Sequence, residues 1–384
     1  MIPLSVPFLN GNEWKYVKDC LDTGWISSAG SYVNQFEQQV AAYAGAKYGI
    51  ACMNGTVGLH IAQVLSGVTT DDYVIAPNIT FIATLNAIKY TGASPILIDV
   101  DAQSWQMDLN LLEQYLKENT IAKEVMGSSY SFHKETNKRI KAIMPVHVLG
   151  NIGDMDHLLA IAATYHLDII EDSTEALGSL YKNKHAGSFG KFGVFSFNGN
   201  KIISTGGGGV IVTNDEVLAK KAKHLTTQAK TSAMEYSHDE IGYNYRLVNV
   251  LAAIGVAQME EFPTLLENKK RMDQFYRSEL SDIGDIEFQQ VLSDVVDANC
   301  WLFTLKTKHM RALLEYLNAN GVQSRPFWIP MNQLDMFKND IYVSKTDQSN
   351  QVYQTSISIP SSAGITQAEM ETVVKTIKAF YSAL

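Results

Sequence analysis

Lys201 follows Phe197-Asn198-Gly199-Asn200 and precedes Ile202-Ile203-Ser204-Thr205 and then Gly206 to Gly209, while an earlier apolar run ends in Glu171-Asp172. An amine and an acid leaving two buried strands are the pair that a pyridoxal phosphate site needs. The amine condenses with the cofactor aldehyde to a Schiff base, and the carboxylate keeps the pyridine nitrogen protonated so that the ring accepts electrons. Ser196, at the end of the second run, is placed to donate to a phosphate. Plainer readings stand beside these. Lys201 could be a surface lysine on a turn, and Asp172 could cap a following segment with Glu175 as its capping-box partner. If Glu175 instead faces the cofactor's phenolic oxygen, two neighbouring anions repel, which implies a protonated Glu175 or a proton shared with the ring oxygen.

Asn54-Gly55-Thr56 follows a strand-like run and opens a helix with Leu59, Ala62 and Leu65 on one face. Glycine lets backbone approach an anion, and the free amides of a first helical turn point at it. The plainer alternative is a strand-to-helix turn with a threonine cap. Neither known glycine loop is present: Gly55 to Gly58 lacks the dinucleotide spacing, and Lys201 lacks the preceding glycine and following Ser or Thr of a Walker loop. His147, after an apolar run, reads as a satisfied core histidine rather than an acid or base. Histidines and carboxylates show no recurrent metal spacing, so no metal is expected.

Short, continuously apolar runs must position these groups: 48–52, 73–76, 95–100, 142–147, 167–172, 193–197 and 209–213. They alternate with amphipathic stretches over 59–65, 83–90, 155–165 and 216–225. This is the pattern of an α/β fold with a mostly parallel sheet covered by helices, whose ligands gather at strand carboxyl ends. From about residue 247 a long helical pattern, 250–280, leads to a texture of shorter elements and a closing helix from residue 367. The expected division is a large domain over 1–255 and a smaller C-terminal α/β domain over 256–384. Residues 121 to 139, polar and weakly periodic, read as an inserted surface loop.

The 384 residues carry 31 basic and 40 acidic side chains, a formal charge of −9, with no basic block. Nucleic acid and anionic membrane surfaces are therefore not expected partners. Three cysteines, Cys20, Cys52 and Cys300, match no metal spacing and point to a reducing cytoplasm. No apolar stretch approaches the roughly 18 residues that a membrane helix needs.

Taken in order, Gly55-Thr56, Ile79-Thr80-Phe81, Asp172, Ser196 with Lys201, and Gly242-Tyr243-Asn244-Tyr245-Arg246 resemble the DegT/DnrJ/EryC1/StrS nucleotide-sugar aminotransferases, from Gly24-Trp25-Ile26-Ser27-Ser28 to Arg325-Pro326. The segments 171–178 and 196–201 look most like the enzymes making UDP-4-amino-4,6-dideoxy-N-acetylglucosamine for bacillosamine and legionaminic acid; GDP-perosamine synthases are similar there too. The resemblance implies the fold type I aminotransferase fold and a homodimer with shared sites. It also implies amino transfer from L-glutamate to C4 of a nucleotide-linked 4-keto-6-deoxy sugar. Lys201 would form the Schiff base and Asp172 would hold the pyridine nitrogen, with Phe81 plating the ring. Gly55, Thr56 and Ser196 would bind the phosphate with Asn244 of a second subunit. Trp25, Ser27, His238, Arg246, Trp301, Arg325 and Trp328 are groove candidates, each with a structural role as its alternative. Glutamine is commoner in the family at 175, and alanines at 173 and 174; the Ser173-Thr174 pair has no physical explanation. A histidine in place of Lys201 would mark the sugar dehydratases of the family, and a non-catalytic regulatory protein on the same fold is the remaining alternative.

Overall fold

The computed structural model describes residues 1–384 except Ala233 and Ser293. Eight strands form the backbone of its main sheet, in the spatial order Tyr48–Cys52, Gly209–Thr213, Phe192–Ser196, Asp168–Asp172, Arg139–Ile143, Asp72–Pro77, Ser94–Ile98 and Ile341–Val343. All neighbours pair in parallel except Gly209–Thr213, which is antiparallel to both of its neighbours. Every strand but that one therefore points the same way, and the carboxyl ends of seven strands share one edge.

The central strands carry Val, Ile, Ala and Phe almost without interruption. Asp72–Pro77 and Gly209–Thr213 are buried along their whole length because helices cover both faces. Helix Gly55–Leu65 packs on one side of the sheet, and helices Glu13–Thr23 and Ser31–Tyr43 lie against the long helix Asn249–Leu280. Beyond that helix, a four-stranded sheet of short pieces, Glu287–Phe288, Thr304–Lys306, Ser356–Ser358 and Arg325–Pro326, packs with helices Met310–Ala319 and Gln367–Ser382 around Leu305, Leu313, Ile357 and Ile377.

One expectation is revised. The loop expected over 121–139 is a β-hairpin, Thr120–Val125 against Ser128–His133, joined to the main sheet through Arg139–Ile143. Its two-residue connection, Met126-Gly127, has φ of 51° and 78°, the positive pair that a tight hairpin turn requires. Mostly exposed side chains on its first strand hid its period. The domain boundary expected at residue 255 falls inside the uninterrupted helix Asn249–Leu280, which belongs to both parts. Ile341–Val343, from the C-terminal part, supplies an edge strand of the main sheet.

Candidate active site

Strand register brings the site together. Cys52 pairs with Gly209, which also pairs with Ser196, while Val194 pairs with Asp172 on the next strand. The turns after Cys52, Asp172 and Ser196 thus open side by side on the carboxyl edge. Gly209 must be glycine here, because a Cβ would stand 2.5 Å from the Asn54 carbonyl oxygen.

Asn54 caps the helix that starts at Gly55, its side chain accepting from the Val57 amide at 3.0 Å. The cap is this asparagine, not Thr56. The Gly58 amide bonds the Asn54 carbonyl, which leaves Gly55 and Thr56 as the donors of the first turn. A Cβ on Gly55 would lie 2.8 Å from Thr174 Cγ2 and 3.1 Å from Ser196 Cβ, so a side chain there would fill the cradle between them.

Asp172 is 3 % exposed. Its Oδ2 accepts from the Thr84 hydroxyl at 2.6 Å and its Oδ1 from the Thr174 amide at 3.2 Å. Thr84 in turn shares a 2.6 Å bond with Thr80, which places the turn carrying Phe81 beside the acid. Phe81 is 57 % exposed and meets Trp328 edge-on, with centroids 6.4 Å apart.

No capping box forms between Asp172 and Glu175. Glu175 Oε2 accepts the Leu149 amide at 2.8 Å, and Oε1 stands 3.8 Å from Lys201 Nζ. Leu149 adopts φ 61°, a left-handed conformation uncommon for leucine, in the short turn that aims this amide at the carboxylate. Burial pushes the Glu175 carboxyl up to about 7; Lys201 and the Leu149 amide hold it down, and Asp172 adds to the rise. Burial likewise lowers the Lys201 amine, against the pull of Glu175 and Asp172. Lys201 lies on the connection between Phe192–Ser196 and Gly209–Thr213, anchored by Ile202 and Ile203 in the core.

The sequence reading did not name Asn299, Thr84 or Leu149. Asn299 donates to the carbonyls of Glu175 and Leu177 at 2.7 and 2.8 Å and accepts the Trp301 amide at 3.0 Å. Only the fold brings it to Glu175, and no local motif marks it.

Groove candidates divide. Arg246 is 7 % exposed and engages Glu37 and, at 3.2 Å, the Ala51 carbonyl, so it ties a helix to the sheet rather than facing a groove. Trp25 and Ser27 lie on an exposed segment whose carbonyls bond Asn249. His238 is exposed and bonds the Gln228 carbonyl at 2.8 Å, and Asn244 is exposed near it in the chain. Arg325 is exposed on the strand that leads to Trp328. His147 is buried against Glu171 at 3.0 Å, as a core histidine would be. Elsewhere, His224, Asp239 and Glu240 converge on the surface, where Lys221 pairs with Glu240.

Residues 7–378 match the model of the DegT/DnrJ/EryC1/StrS aminotransferase family. The chain belongs to this family. A GDP-perosamine synthase of Escherichia coli O157:H7 is 35 % identical over 384 residues, covering 99 % of each chain. A putative pyridoxal phosphate-dependent aminotransferase of Bacillus subtilis, EpsN, is 34 % identical, covering 98 % of this chain and 95 % of its own. The crystal structure of a family aminotransferase from Brucella abortus, 24 % identical, superposes with a TM-score of 0.87 over 96 % of this chain and 95 % of its own. The fold is that of the type I aminotransferases, and the enzyme is a pyridoxal-phosphate-dependent sugar aminotransferase. The residues present fit that cofactor: a glycine cradle that a Cβ would fill, a hydroxyl beside it, and a buried amine and acid in the adjoining turns.

Proposed function

We propose that the enzyme transfers an amino group from L-glutamate to C4 of a nucleotide-linked 4-keto-6-deoxy sugar. The observation that carries this reading is the buried Lys201 amine set among Glu175, Asp172 and the Gly55–Ser196 cradle. Pyridoxal phosphate, when bound, supplies the aldehyde that accepts the amino group and a ring that accepts electrons. Gly55, Thr56 and Ser196 would hold its phosphate, and Asp172, oriented by Thr84 and Thr174, would keep the pyridine nitrogen protonated. Lys201 Nζ takes the proton from Cα of glutamate and returns one to C4 of the sugar. Burial lowers the amine and so favours the neutral form that acts as a base. Glu175, whose carboxyl burial raises, would hold a proton for the cofactor's phenolic oxygen.

Of the two sugar readings, the full-length likeness to GDP-perosamine synthases favours GDP-4-keto-6-deoxymannose as acceptor. The segments 171–178 and 196–201 favour the UDP-linked 2-acetamido sugar expected from the sequence, whose product would be UDP-4-amino-4,6-dideoxy-N-acetylglucosamine. Trp25, Ser27, His238 and Arg325 remain candidates for contacts to the nucleotide sugar. A homodimer accounts for the exposure of Trp25, Ile26, Phe81, Tyr236 and Ile241, at 58, 50, 57, 95 and 86 %. In it Asn244 reaches the partner's phosphate site. No helix among the described residues is long and apolar enough to cross a membrane, and we place the enzyme in the cytoplasm, in polysaccharide biosynthesis.

Mass spectrometry of products from GDP-, UDP- and dTDP-linked 4-keto sugars with glutamate tests the substrate. Amination of the GDP sugar is expected, and preferential amination of the UDP sugar would replace it with the second reading. Borohydride should fix the cofactor on Lys201, and Lys201→Ala should lose both fixation and turnover. Transamination retained by that variant would overturn the assignment.

A further inference from the structure

Trp301 is 4 % exposed, too buried to line an open groove, and its ring lies against the amine side of Lys201, with Nζ 4.0 Å from the ring centroid. Its indole N–H donates to the carbonyl of Asn200, the residue before Lys201, at 2.8 Å. One side chain thus touches both the amine and the backbone that carries it.

Trp301 is itself held from both peptide groups. Its amide donates to Asn299 Oδ1 at 3.0 Å, and its carbonyl accepts from Lys269 Nζ at 2.5 Å. Lys269 is 1 % exposed, lies on helix Asn249–Leu280 and also donates to the Ser361 carbonyl. Asn299 simultaneously fixes the Glu175 carbonyl. The residue whose ring faces the amine and the residue whose carboxylate faces it from the other element are therefore tied through their backbones to the same amide side chain.

We infer that Trp301 is a positioning residue for Lys201: its face supports the amine as a cation whenever that amine is free, and its indole N–H fixes the Lys201 segment. This rests on the reading of Lys201 as the reacting amine. Transamination leaves Lys201 free for part of each cycle, and a free four-carbon side chain samples many rotamers unless something holds its end. The charged groups facing the amine are Glu175 and Asp172, the latter ending the strand Asp168–Asp172 and the former in the turn after it. The Ala298–Thr304 side contributes an aromatic face. A ring face attracts an ammonium without competing for its proton, so the amine is held yet stays able to give the proton up.

The test uses cofactor-free protein. Acetylation of Lys201 by acetic anhydride, followed by peptide mass spectrometry from about pH 6 to about pH 11, traces the protonation of this one amine. Trp301→Leu removes the face, and the neutral fraction at a given pH below the midpoint should rise about tenfold. Trp301→Phe keeps a face and loses the N–H. Its acetylation curve should stay within about threefold of wild type, while hydrogen exchange at the amides of 198 to 203 becomes faster. A Trp301→Leu curve that superimposes on wild type, or moves the other way, would overturn the inference. So would unchanged exchange in Trp301→Phe, which decides the matter if the leucine variant does not fold. Borohydride fixation on wild-type Lys201 is a separate measurement: its failure would remove the reading of Lys201, whereas failure of the Trp301 experiments would leave that reading intact.

Discussion

Replacing Glu175 by glutamine should change how stability depends on pH. In the folded protein the carboxyl stands at about 7 against an ordinary value of 4.5, because burial disfavours its charge more than Lys201 and the Leu149 amide favour it. A raised carboxyl contributes its full stability below the unfolded value, where both states are protonated. That contribution is lost as pH rises from about 4.5 to about 7, because the unfolded chain releases the proton first. The difference corresponds to about 3 kcal/mol. Glutamine still accepts from the Leu149 amide and has no proton to lose, so Glu175→Gln should lack this loss. Urea denaturation of cofactor-free wild type and variant at several pH values between about 4.5 and about 8 gives two curves, and their difference isolates one group. The variant should gain on wild type by up to about 3 kcal/mol across the interval, less whatever its Lys201 loses with the carboxylate gone. A difference that stays constant with pH would show that Glu175 titrates as an ordinary carboxyl and would refute the reasoning.

Gly55→Ala should weaken cofactor binding by at least about tenfold, because a Cβ 2.8 Å from Thr174 and 3.1 Å from Ser196 occupies the cradle; a spectrophotometric titration with pyridoxal phosphate checks this, and wild-type affinity would contradict it. Thr84→Val keeps the shape and removes the 2.6 Å donor to Asp172, which should cost about 1.5 to 3 kcal/mol in denaturant unfolding. Asn299→Ala strands the carbonyls of Glu175 and Leu177 and the Trp301 amide; a loss of about 2 to 5 kcal/mol is expected by the same method, and a loss below about 1 kcal/mol would mean that water or a neighbour replaces the amide.

Much of the fold was legible because both faces of its central strands are covered. Continuous apolar runs such as Gly209–Thr213 and Tyr48–Cys52 occur where expected, and alternation with amphipathic helices is enough to imply a mostly parallel sheet. The hairpin over 120–133 was hidden because its first strand is mostly exposed, so selection for burial left little period to read there. Residue 255, where the division between domains was expected, lies inside helix Asn249–Leu280.

For the candidate site, residue type and order were enough to propose Lys201, Asp172, Ser196 and Gly55. Each stands at the end of a buried run, and in a parallel sheet those ends must share one edge. Pairing across that edge belongs to tertiary structure. Whether Glu175 completes a capping box or turns toward Lys201 depends on the Leu149 turn, which arrives from a different strand. Whether Arg246 faces a groove or Glu37 depends on the helix Ser31–Tyr43. Asn299 and Trp301 lie about a hundred residues from the groups they hold. Local sequence records a residue's own backbone preference and exposure; it does not record which distant donor will meet a buried acceptor, because that choice is made only when the whole core closes.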